Sequence, residues 1–76
     1  MNFSILDTVV LNRGLPEFAL KRGDIGAVVE CYPPESLDVE FVTGAGRKQT
    51  LVTLKVSDVH PVADNELLAV RRVDAA

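Results

Sequence analysis

Cysteine, histidine and tryptophan are almost missing from this chain of 76 residues, and each shortage removes a class of function. The single cysteine, Cys31, excludes an intramolecular disulfide framework and a cysteine zinc site. The single histidine, His60, leaves no recurring ligand spacing for a metal ion. Aromatic residues are limited to Phe3, Phe18, Tyr32 and Phe41, too few for the aromatic-lined groove that grips proline-rich peptides. Clustered positive charge is also lacking. Eight Lys and Arg stand against eleven Asp and Glu, a net charge of −3, and the basic residues are scattered singly or in pairs. A general nucleic-acid binder needs grouped cations to neutralise phosphates, so that class is disfavoured. The first seven residues lack the basic start and apolar run of a signal peptide, and no run approaches membrane-spanning length. These absences predict a soluble cytoplasmic domain with no membrane contact.

What is present is aliphatic. Hydrophobic residues make up 47% of the chain, mostly Val, Leu, Ile and Ala. That is enough for one small core, near the lower size at which a single domain folds unaided. The pattern along the chain is all-β. Ile5 to Leu11 reads as a β-branched strand stopped by Asn12-Arg13-Gly14. Leu15 to Leu20 reads as a loop with one helical turn, with Leu15, Phe18 and Leu20 pointing inward. Ile25 to Tyr32 is the second strand, ended by Pro33-Pro34, which cannot donate to a ladder. Its alternation puts Cys31 with Ile25, Ala27 and Val29. Next, Leu37, Val39 and Phe41 alternate with Asp38 and Glu40, the period of two of a half-buried strand. Thr43 to Gly46 is a hairpin loop, and Arg47 to Leu54 is the returning strand, with Thr50, Val52 and Leu54 on one face. Lys55 to Asp58 reads as a single turn and Val59 to Val62 as a short closing strand.

Five short strands joined by Gly/Pro turns, with a long first connection and one turn before the last strand, predict a small SH3-like five-stranded barrel over residues 1–63. Residues 64–76 form a C-terminal extension. Asp64 can cap a short helix, whereas Leu68, Val70 and Arg72 alternate as an edge strand does. The edge strand is preferred, a helix or a frayed tail stays open, and pairing the strand across a two-fold axis would make a homodimer.

Several of these segments carry a resemblance. Leu6 to Leu11, Leu15-Pro16-Glu17, Leu20 to Glu30, Val39-Glu40-Phe41 and Leu54 before Asp58-Val59 occur in an order that resembles the small bacterial family catalogued as domain of unknown function 4926. The resemblance covers residues 5 to 62 or so, and implies an SH3-like fold with no assigned activity. Gly23-Asp24-Ile25-Gly26-Ala27-Val28 is also similar to the turn and strand of KOW modules, which hold RNA with added basic loops that this chain lacks.

Candidate chemistry is sparse. Asp58 stands two residues from His60, which on a strand puts both on one face; a surface histidine beside an aspartate explains the pair without catalysis. Cys31 on an apolar face reads as a buried, inert thiol. Arg22-Gly23-Asp24 reads as a turn with a charged rim. No catalytic residue, cofactor or metal ligand is assigned. Phe18, Tyr32, Asp38 and Glu40 are the candidate residues of a protein interface, the two carboxylates sharing a strand face that a basic partner would meet. The expected function is a non-enzymatic interaction module, in one form an accessory or antitoxin-like partner of a neighbouring gene product. The alternatives are a KOW-like RNA or ribosome-associated module and a small subunit of an enzyme.

Overall fold

The computed structural model describes residues 1–42, 49–68 and 71–72. Five antiparallel strands form one sheet: β1 (Thr8–Leu11), β2 (Ile25–Tyr32), β3 (Ser36–Val42), β4 (Gln49–Lys55) and β5 (Val59–Pro61). Their order across the sheet is β4-β3-β2-β1-β5. Two 3₁₀ turns, Pro16–Phe18 and Val56–Asp58, are the only helical elements among the described residues. The meander β2-β3-β4, and the first strand pairing with both the second and the last, make this the SH3-like barrel that the strand spacing predicts.

Alternation builds the core. Leu37, Val39 and Phe41 of β3 turn inward with Val52 and Leu54 of β4, and meet Val9, Leu11, Leu15, Val28 and Val59. The returning strand ends one residue later than expected and the closing strand one earlier. The first strand begins only at Thr8, because Leu6 takes a positive φ of 77° and donates its N–H to the Val28 carbonyl. The hairpin expected at Thr43 to Gly46 lies outside the described residues.

Two expectations are corrected here. Alternation counted straight through β2 puts Cys31 with Ile25, Ala27 and Val29, but the fully buried residue of that strand is Val28. The β2–β3 register shifts between Val28 and Glu30, so the extra residue of a bulge reverses the parity. Cys31 thereby turns to the core side, half-buried, with its Sγ 3.6 Å from the Phe3 carbonyl, while Glu30 and Tyr32 turn outward. Phe18 is the second correction. Leu15 is buried at 2% exposure, whereas Phe18 is 42% exposed. The turn is too tight to aim both inward, since the Leu15 carbonyl accepts the N–H groups of both Phe18 and Leu20.

The described residues of the extension form neither an edge strand nor a helix. Asp64-Asn65 make a turn in which Glu66 donates its N–H to the Ala63 carbonyl. Residues 66–68 and 71–72 carry no strand or helix. Side chains hold this chain to the barrel where a ladder was expected: Glu66 meets His60, and Arg71 reaches Asp24 and the Ala19 carbonyl.

Candidate functional site

The outer face of the β2–β3–β4 meander gathers most of the candidate interface residues. Cross-strand pairing sets Glu30 opposite Asp38 and Asp38 opposite Thr53. One step along, Ala27, Glu40 and Leu51 form the next row, and Tyr32, Ser36 and Lys55 the row on the other side. Asp38 is the centre: Tyr32 donates its hydroxyl to one carboxylate oxygen at 2.9 Å and Thr53 to the other at 2.6 Å. The Asp38 carboxylate, by accepting that bond, raises the Tyr32 pKa and keeps the phenol a donor. Glu40 has no ion pair or side-chain hydrogen bond among the described residues. Like charges directly opposite each other, as Glu30 and Asp38 are, oppose sheet formation.

Apolar side chains border these acids. Tyr32, Val42 and Leu51 are 48%, 53% and 58% exposed. Val42 and Leu51 are the residues that sequence reasoning missed. The signal was available, because alternation in β4 already sets Leu51 opposite the inward Val52 and Leu54. Phe18 lies on a different element, the first 3₁₀ turn.

The remaining candidates have separate surroundings. Asp58 does not pair with His60. Its Oδ1 accepts from the Arg13 guanidinium at 2.9 Å and its Oδ2 from the Lys55 N–H at 3.0 Å. His60 instead faces Asn12 and Glu66. In the Arg22-Gly23-Asp24 stretch, Gly23 adopts a φ of 91° and the Asp24 carboxylate is taken up by Arg71 and the Lys21 N–H. Among the described residues, no group of three or more His, Cys, Asp or Glu stands close enough to hold a metal ion. Nor is any helix among them long and apolar enough to cross a membrane.

The comparisons bear on this same framework. The model of the family described as Domain of unknown function (DUF4926) matches residues 5–61. The chain belongs to this family. The DUF4926 match begins just before β1 and ends with β5, so it spans the whole barrel, including the acidic outer face, and stops before the extension. No curated protein and no solved structure matches the chain.

Two carboxylates tie the ends of the first connection in place, and they predict an acid response. The Arg71 guanidinium holds Asp24 below its usual pKa, helped by the Lys21 N–H against burial, and Arg13 does the same for Asp58 with the Lys55 N–H. A carboxylate depressed in the folded state adds stability above its unfolded pKa of about 4, and that stability disappears as pH falls through the folded value. Unfolding by urea should therefore become easier from about pH 4 downward. The slope of stability against pH should flatten in Asp24→Asn and Asp58→Asn proteins. A wild-type stability that rises on acidification would contradict this assignment.

Proposed function

We propose that this chain is a non-enzymatic protein-interaction module whose contact surface is the outer face of β2, β3 and β4. The observation that carries the reading is the outward cluster of Glu30, Asp38 and Glu40 on two adjacent rows, bordered by exposed Tyr32, Val42 and Leu51 on one sheet face. Opposed carboxylates are an unfavourable sheet pair that a cationic partner would relieve. Neighbouring apolar side chains supply the contact area that charge alone does not. The partner is accordingly a protein with a basic surface and an apolar centre. A cytoplasmic accessory or antitoxin-like role toward a neighbouring gene product fits the small size and acidity of the chain.

Calorimetric titration against the product of the adjacent gene tests this. Asp38→Asn combined with Glu40→Lys is expected to weaken binding about tenfold or more and to reduce its salt dependence. Unchanged affinity in that variant would remove the sheet face from the interface. Salt-dependent binding of RNA by the unaltered chain would favour the nucleic-acid alternative instead.

A further inference from the structure

His60 sits on β5 opposite Val10, and both of its ring nitrogens face oxygen. Nδ1 is 2.5 Å from Asn12 Oδ1, and Nε2 is 2.9 Å from Glu66 Oε2. Neither oxygen is placed by chance. Asn12 donates its Nδ2 to the Ser57 carbonyl at 3.1 Å, which fixes the amide with its oxygen toward the ring. Glu66 accepts the Ala63 N–H on Oε1 at 2.7 Å, which aims Oε2 at the ring. A neutral imidazole carries one N–H and can satisfy only one of these acceptors. The doubly protonated ring satisfies both.

We infer that Asn12, His60 and Glu66 form a proton-operated latch that fastens the start of the C-terminal extension to the barrel. With the ring protonated and Glu66 ionised, the extension is bound by a charge-assisted hydrogen bond. Loss of one ring proton leaves a nitrogen lone pair against an oxygen. Either the Asn12 amide must then abandon Ser57, or Glu66 must withdraw.

The other charges around the ring do not compensate. Asp58, on the preceding 3₁₀ turn, is engaged by Arg13 and the Lys55 N–H, and Arg13, beside Asn12, is engaged by Asp58. Among the described residues of the extension Glu66 is the one that hydrogen-bonds the ring, and from β1 the opposing residue is the apolar Val10.

Further along, Arg71 gives a second fastening on Asp24, at 2.8 Å from Nε to Oδ1, and that guanidinium stays charged throughout the accessible range. One end of the extension is therefore held wherever Asp24 is ionised, and the other by a side chain whose second ring proton decides whether both facing oxygens are satisfied. Leu67 and Leu68, immediately after the latch, are 95% and 63% exposed.

The test is a two-dimensional NMR titration of the full chain from pH 4 to 9, following the His60 ring nitrogens and the backbone amides of Glu66, Leu67 and Leu68. The extension amides should shift with the same midpoint as the His60 ring. Exchange of the Glu66 amide, corrected for the intrinsic pH dependence, should quicken by about two- to fivefold once the ring is neutral, the scale of a partly exposed ion pair. Glu66→Gln, whose amide can donate or accept, should abolish the step in the extension while leaving the sheet resonances in place. His60→Gln should abolish it too. Extension amides that ignore the His60 titration in the unaltered chain would overturn the proposal, as would a step that persists in Glu66→Gln.

Discussion

A Gly26→Ala protein is expected to lose about 3 kcal/mol of stability, the upper end of what one added methyl group costs in a packed core. The new Cβ would stand 2.6 Å from Val39 Cγ1, 2.9 Å from Phe41 Cε1 and 3.0 Å from the Glu40 carbonyl oxygen. Val39 is fully buried, so its methyl has no free space to enter, and the carbonyl belongs to the β3 backbone. Gly26 also faces Val9 across the β1–β2 ladder, which limits retreat on the other side. The strands must separate or twist, and either loosens the meander at its centre. For a domain of this size the loss corresponds to a fall in melting temperature of roughly 12–24 °C. Calorimetric melting of the two proteins measures it. A change below about 0.5 kcal/mol, the scale of an ordinary surface substitution, would show that the close approach is not real.

Leu37→Ala is expected to cost a similar amount, about 3 kcal/mol within the usual range of 2–5. Leu37 is fully buried on β3, between Cys31 on one neighbouring strand and Leu54 on the other. Removing its branched end leaves a cavity that two flanking strands, held by their own ladders, cannot collapse to fill. A chain of this length has roughly 4–11 kcal/mol in all, so the variant should sit close to its folding threshold at room temperature. Leu51→Ala is the matched control. That leucine is 58% exposed on the opposite face of the same sheet, and its loss should change stability by no more than about 0.5 kcal/mol. Urea unfolding of both separates the two faces. Equal destabilisation would mean that the inner and outer faces are wrongly assigned.

Much of the barrel is readable from local pattern. Ile25 to Tyr32 is a strand because β-branched residues follow a glycine turn and two prolines close it. The inward Leu37, Val39 and Phe41 follow from strict alternation, since a period of two can bury only one face of a pleated strand. The same alternation placed Asp38 and Glu40 outward, and Tyr32, already a candidate beside them, shares that face. What it misplaced is the first half of β2: the bulge after Val28 reverses the parity there, so Val28 is buried in place of Ile25, Ala27 and Val29, and no residue type in that strand announces where the extra residue falls. Phe18 was legible as apolar but not as exposed, because the direction of a side chain in a one-turn loop depends on which carbonyls the turn engages.

The amino-acid sequence by itself determined an all-β domain, its five strands, the inward residues of β3 and β4 and the acidic character of one strand face. Short-range periodicity and turn chemistry suffice for each of these, because burial acts on neighbouring residues together. Tertiary structure alone decided which charges meet. Arg71 reaches back 47 residues to Asp24, Arg13 reaches 45 to Asp58, and His60 gathers Asn12 from 48 residues away and Glu66 from six. Contacts over such separations arise only when the ladders have closed and the extension has come to rest on the barrel, so no local signal records them.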